Sequence, residues 1–185
     1  MMRMLTKGVS TMAARLKGKV RFYQVWNEWD GGCGMDSRGD AASYVKLLAA
    51  VYPKIKAADP AAIVIANSAC SDEFLKKTLE LGVLKHCDGL ALHAYFFGDS
   101  RKTVENTWYP RMKALDATIR AANGGQPFPL YATEIGWPTH IGPGGSTEVL
   151  SADCMARTYL LALSLPFIKG LWWYDFQDDG WKHTY

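Results

Sequence analysis

The feature that most constrains this chain is an alternation of short apolar runs with longer amphipathic ones, repeated at a nearly regular interval. Five runs, Val20–Val25, Ala62–Asn67, Gly89–His93, Pro129–Thr133 and Ile168–Tyr174, are rich in branched or aromatic residues, as strands covered on both faces should be. Helical patterns lie between them over about Ala41–Ala58, Ser71–Leu81, Thr103–Ala122 and Ser151–Leu163, and another, roughly Leu5–Leu16, precedes the first strand. Strand ends near Glu28, Asn67, His93, Glu134 and Tyr174 are 39, 26, 41 and 40 residues apart, about one strand plus one helix of an α/β barrel. This predicts an α/β fold in one domain, with a parallel sheet built from successive βα units. A barrel and a doubly wound sheet alternate in the same way, so periodicity alone does not separate them.

Local signals place the helix ends. The first helix carries Val45, Leu48, Tyr52 and Ile55 on one stripe and stops at Asp59-Pro60, with a kink or break expected at Pro53. Ser71 is a plausible N-cap, with Gly82 just past the C-terminus of its helix. In the third helix Trp108, Leu115 and Ile119 form the apolar side, ended by Gly124-Gly125, and Pro166 follows the fourth. The Gly136–Gly145 stretch reads as one long loop, and Gly142-Pro143-Gly144-Gly145 lacks the spacing of a phosphate-binding loop.

Composition removes several function classes. A formal charge of +3 without any Lys/Arg run gives no reason for nucleic-acid binding. No stretch approaches the ~18 consecutive apolar residues of a membrane span, and Met1–Val20 has no continuous apolar segment of the kind a secretion signal needs. Cys33, Cys70, Cys87 and Cys154 are scattered, with neither a Cys-x-x-Cys pair nor a histidine at zinc-ligand spacing. They read as buried or semi-buried thiols and not as a zinc site.

In parallel α/β proteins the chemistry gathers at the C-terminal strand ends. Four of the five strands end in polar or aromatic groups: Trp26-Asn27-Glu28-Trp29, His93-Ala94-Tyr95, Thr133-Glu134-Ile135-Gly136-Trp137 and Trp172-Trp173-Tyr174-Asp175. Glu28 and Glu134 each follow an apolar strand and each have tryptophan nearby, which suggests a carboxylate pair converging on one pocket. Such a pair divides acid and base roles, because a desolvated carboxyl keeps its proton while an exposed one stays ionised. Indole faces stack on the apolar faces of sugar rings. His93 stands two residues before Tyr95 and so shares its strand face. By strict alternation Asn27 and Glu28 point to opposite faces, so both reach one ligand only if the strand twists or bulges at its end. Trp172, adjacent to Trp173, should point away from it and pack against a helix, while Trp29 and Trp137 suit either pocket walls or loop anchors. Asp175, Asp178 and Asp179 read as a solvated loop.

These strand ends, together with the helix segment Ala49–Pro60 reading AAVYPKIKAADP, resemble strands four, six, seven and eight of the clan A retaining glycoside hydrolases. The chain looks most like family 39 and its neighbours in family 5, which include bacterial enzymes that cut exopolysaccharide, and the resemblance covers nearly the whole chain. It implies a glycosidase acting on an oligo- or polysaccharide by double displacement, with Glu28 as acid/base, Glu134 as nucleophile and no cofactor. It further implies that Asn27 hydrogen-bonds the sugar 2-hydroxyl, that Tyr95 orients or hydrogen-bonds Glu134, and that Trp173 floors the sugar site; His93, on the strand face of Tyr95, and Trp137 are the further candidates for lining it.

On this reading residues 1–185 are a single partial TIM barrel, five strands of the (β/α)8 pattern, lacking strands one to three and the last helix. Five strands do not close an eight-stranded barrel, and open sheet edges favour self-association. The isolated chain is therefore expected to be weakly active or inactive. Two other classes compete: a carbohydrate-binding unit without turnover, and an α/β enzyme that uses Glu and His for other proton chemistry. Export is implied only by the resemblance, with any signal upstream of Met1.

Overall fold

A computed structural model describes residues 2–33, 37–69, 71–95, 103–140, 142 and 145–175. Helix α1 (Met2–Leu16) leads into β1 (Phe22–Gln24), α2 (Ala41–Ala58), β2 (Ile63–Ala69), α3 (Asp72–Glu80) and a 3-10 turn at Val83–His86. The chain continues through β3 (Gly89–His93), α4 (Trp108–Ala122), β4 (Leu130–Ile135), α5 (Glu148–Leu163) and β5 (Ile168–Trp173).

All five strands are parallel, and each pairs with its neighbour in the chain, in the order β1-β2-β3-β4-β5. A doubly wound sheet reverses its strand order at a switch point; this one never does, so the sheet is a curled part of a (β/α) barrel. Right-handed crossovers of one sense keep the helices on one face. Val64, Ala66, Leu90, Leu92, Leu130 and Ala132 accordingly share the main core with Leu48, Val51, Leu75, Met112 and Ile119 from the helices. Ile65, Ala91 and Tyr131 project to the other, concave face and form a separate cluster. The curl brings the first and last strands together there: the rings of Phe22 and Trp172 lie 5.9 Å apart, and both touch Tyr131.

Caps set the helix starts. Asp40 accepts from the Ser43 amide at 2.8 Å and its hydroxyl at 2.7 Å, opening α2; Ser71 accepts from Phe74 N, opening α3. Gly82 takes a left-handed φ of 79° just beyond that helix, as expected. Helix α5 begins three residues before the expected Ser151, because the Thr147 hydroxyl accepts from Leu150 N. Helix α4 begins at Trp108, with residues 104–107 forming a turn.

Other expectations are corrected. Helix α2 runs unbroken past Pro53: proline removes one amide donor, and the packing of the flanking turns outweighs that loss. Its buried face is Ala41, Tyr44, Leu47, Leu48, Val51 and Ile55, a rotation that leaves Val45 and Tyr52 at the margin. Trp172 does not pack on a helix; it is 42% exposed on the concave face, while Trp173 packs against the main core. Cys33 is exposed, whereas Cys87 and Cys154 are buried free thiols. Cys70, Asp178 and Asp179 lie outside the described residues. No helix among those described is long and apolar enough to cross a membrane.

Candidate active site

Glu28 reaches the concave mouth because β1 ends early. The last strand residue is Gln24, and the Val25 amide still bonds Ile65 O at 3.0 Å. Beyond that point the backbone turns left-handed, with φ of 70° at Trp26 and 41° at Glu28, a conformation costing roughly 1–3 kcal/mol for a residue with a Cβ. The surroundings hold it there. Tyr44 donates its hydroxyl proton to Val25 O at 2.8 Å and accepts from Asn67 N at 2.7 Å, joining the end of β1 to β2 just beyond the last ladder pair, Gln24 with Ile65. The amides of Gly31, Gly32 and Cys33 all reach back to Glu28 O, and Trp26 Nε1 donates to Cys33 O at 2.9 Å. Trp29 is a loop anchor: its Nε1 donates to Asp40 O, and its ring lies 5.3 Å from Trp26 and 5.5 Å from Tyr44.

Glu134 arrives by a different device. Up to Leu92 and Ala132 the β3–β4 ladder is in step, but the next pair is His93 with Glu134, so Thr133 is an extra residue on β4. A one-residue shift turns a side chain to the other face of a sheet. Without it Glu134 would follow Leu130 and Ala132 towards the helices; with it, Glu134 stands beside His93. The glutamate thus lies inside β4 rather than just after it. Close beyond, Gly136 lies against Tyr174, where a Cβ would collide with the Tyr174 carbonyl and approach Tyr95 Cε1 to 3.3 Å.

Five described side chains meet here. His93, with only 3% of its surface exposed, points Nδ1 at Glu28 Oε1 (2.8 Å) and at Glu134 Oε2 (3.3 Å). One oxygen of each glutamate and this nitrogen lie within 4.8 Å of one another. The Tyr95 hydroxyl donates to Glu134 Oε2 at 2.9 Å, and the Cys33 thiol donates to Glu28 Oε2 at 3.3 Å. Both glutamate side chains are about three-quarters buried, at 26% exposure. Burial first, then the hydrogen bond to Glu134, pushes the Tyr95 phenol well above its ordinary value, so it stays a donor. The Cys33 thiol is also raised, chiefly because its proton is held by Glu28, then by burial and the neighbouring charges of Glu28 and Glu134.

The proton arrangement follows from His93. Its Nε2 is buried without a hydrogen-bond partner among the described residues, so the ring proton is better placed on Nδ1, where two carboxylates accept it. The same three residues have the donor types of a divalent-cation site. A cation on Nδ1 would drive that proton to Nε2, leaving an N–H buried without an acceptor there, at a cost of about 1–3 kcal/mol.

The remaining candidates are placed less centrally. Asn27 is exposed, pointing away from the core between the two left-handed residues. Trp137 is 6% exposed within the main core, its carbonyl accepting from Ser151 Oγ, as a loop anchor would be. Trp173 is half-buried against the same core. Asp175 is exposed, and part of the Gly142–Gly145 loop lies outside the described residues. A shallow groove along α1, lined by Lys7, Thr11, Met12 and Arg15, contains none of these groups. Sequence reasoning missed Cys33, Tyr44 and Thr133. Tyr44 was legible as a helix residue one position off the expected stripe; nothing in the local pattern marks the other two.

No family model matches the chain, and no curated protein matches it in sequence. Solved structures do share its fold. A family 39 glycoside hydrolase from the gut symbiont Bacteroides cellulosilyticus WH2 superposes with a TM-score of 0.70 at 22% identity, over 95% of this chain and 37% of that one. A family 39 beta-xylosidase from Caulobacter crescentus gives 0.70 at 17% identity, over 95% and 39%. A family 128 endo-beta-1,3-glucanase from Amycolatopsis mediterranei, solved with laminarihexaose, gives 0.64 at 13% identity, over 92% and 68%. The chain therefore shares its partial (β/α) barrel fold with these glycoside hydrolases, and it spans well under half the length of the two family 39 structures.

Proposed function

We propose that this chain carries the carboxylate pair of a retaining glycoside hydrolase, with Glu134 as nucleophile and Glu28 as acid/base, acting on a β-linked oligo- or polysaccharide. The observation that carries the reading is the approach of Glu28 and Glu134 oxygens to within 4.8 Å, both touching one histidine nitrogen. Carboxyl groups about 5–5.5 Å apart suit a covalent glycosyl intermediate, whereas about 6.5–9.5 Å is needed to seat a water for inversion.

The roles follow from the contacts. His93 and Tyr95 both reach Oε2 of Glu134, so Oε1 is the oxygen for attack on the anomeric carbon. As that bond forms, the glycosidic C–O bond breaks and Glu28 passes its proton to the leaving oxygen. In the second half Glu28 takes a proton from water, the water oxygen bonds to the anomeric carbon, and the ester to Glu134 breaks. Tyr95 holds the attacking carboxylate in line. Asn27 would meet the sugar 2-hydroxyl and Trp173 would floor the sugar site, while Trp137, buried in the core, would support the loop after β4.

The five strands present part of a cleft, so turnover by the isolated chain is expected to be slow. Its test is incubation with β-xylosides, β-1,3-glucans and other β-linked glycans, then labelling with 2-fluoro glycosides and mass spectrometry of the Glu134 peptide. Turnover and label should both vanish in Glu134→Gln. Turnover that survives that substitution, or a product of inverted anomeric configuration, would overturn the assignment. A second reading, sugar binding without turnover, draws on the exposed concave aromatics Phe22 and Trp172; binding that persists in both Glu28→Gln and Glu134→Gln, with no hydrolysis, would favour it.

A further inference from the structure

The turn from Glu28 to Cys33 is built to return a thiol to the carboxylate from which it starts. Three successive amides, those of Gly31, Gly32 and Cys33, converge on Glu28 O at 2.9, 3.0 and 3.3 Å. Gly32 takes φ of 85°, and a Cβ there would press on the Ser37–Arg38 backbone at 3.3 Å, so the sharp reversal needs glycine. Trp26 Nε1 then fixes the Cys33 carbonyl at 2.9 Å, and Sγ comes to rest 3.3 Å from Glu28 Oε2. The opposite oxygen, Oε1, is held by His93 at 2.8 Å. Each oxygen of the carboxylate thus meets a donor, one from β3 and one from its own turn.

Resting on the reading of Glu28 as acid/base, we propose that Cys33 is a positioning residue that sets the protonation of Glu28. A thiol proton shared with a carboxylate favours the ionised form, since hydrogen bonds to a charged acceptor are the stronger ones. Sulfur is also a weak acceptor, so when Glu28 gains its proton the contact reverses instead of breaking. Cys33 therefore keeps the side chain in one rotamer through both halves of the cycle and biases it towards ionisation. Among the described residues, the titratable groups that face Glu28 include His93 and Tyr95 from β3 and its extension, Glu134 from β4, and Cys33 itself. Of these only Cys33 belongs to the turn, and its raised thiol is the reciprocal sign of the same coupling.

Two measurements decide this, and neither depends on turnover. Site-resolved alkylation of Cys33 with iodoacetamide across pH should show a midpoint that falls in Glu28→Gln, with about a threefold or greater gain in rate at pH 8. Carbon-13 titration of side-chain carboxyls should show Glu28 ionising at higher pH in Cys33→Ala, by about half a pH unit or more, with Cys33→Ser returning towards the parent. If hydrolysis is measured, the basic limb of kcat/KM should move up in step in Cys33→Ala. An unchanged alkylation midpoint, or a Glu28 titration identical in parent and Cys33→Ala, overturns the proposal. A chain that shows both shifts yet neither hydrolyses nor becomes labelled at Glu134 upholds the coupling and sinks the catalytic reading instead. Because Cys33 is exposed in a surface turn, Cys33→Ala is expected to fold, with circular dichroism as the check.

Discussion

His93 faces Glu134 across β3 and β4 one residue out of step with the pair before it, Leu92 and Ala132. That offset, made by Thr133, is what puts both side chains on one face.

The Thr133 hydroxyl is buried without a hydrogen-bond partner among the described residues. Replacing an unsatisfied buried hydroxyl by a methyl group of the same shape removes a desolvation cost of about 1–3 kcal/mol. Thr133→Val is therefore expected to stabilise the chain by roughly 0.5–1 kcal/mol after losses in packing. A denaturant midpoint that moves up with an unchanged slope is the expected signature; a lower midpoint would reveal a partner for that hydroxyl.

Gly136 has no room for a side chain. Its Cβ position is occupied by the Tyr174 carbonyl and neighbours Tyr95, so Gly136→Ala must push the end of β5 away from β4. The expected cost is about 1–3 kcal/mol. Since Tyr174 packs edge-on to Tyr95 at 6.3 Å, the Tyr95–Glu134 contact should loosen as well, visible as a drop in thermal midpoint together with a moved Glu134 carboxyl resonance.

Tyr95→Phe removes one donor to Glu134 and little volume. A hydrogen bond to a charged group contributes about 1.5–3 kcal/mol, which corresponds to roughly a ten- to hundredfold fall in the rate of labelling or turnover if Glu134 is the nucleophile. Folding should survive. An unchanged rate would mean that His93 alone orients Glu134.

Asp40 holds the first turn of α2 through Ser43, and those two donations keep its carboxyl below the usual range. A folded-state value lower than the unfolded one stabilises the chain above the unfolded value, and the gain is lost as pH falls through the folded one. Asp40→Ala should thus destabilise by about 1 kcal/mol near neutrality, with the gap to the parent closing below roughly pH 4. Chemical denaturation at pH 7 and pH 3 compares the two.

Strands β3 and β5 were legible almost to the residue because their apolar runs end in polar or aromatic groups. The pairing of Glu28 with Glu134 was also legible, as two glutamates at the ends of apolar runs. What puts them together was not. A bulge at Thr133 leaves no local mark, because its effect exists only relative to the partner strand. The left-handed residues Trp26 and Glu28 defy the preference of side-chain-bearing residues, and only Tyr44 and the following turn explain them. Trp172 and Trp173 were separable by alternation, but which of them faced the helices depended on the curl of the sheet.

That curl has a consequence for how the molecule comes apart. Strands paired only with their chain neighbours would ordinarily fray from either end, as stacked repeats do. Here Phe22 of β1 and Trp172 of β5 touch across the hollow, so losing one terminal strand strips contacts from the other. The two ends of the sheet are thereby tied into one cooperative unit, and hydrogen exchange should find β1 and β5 opening together.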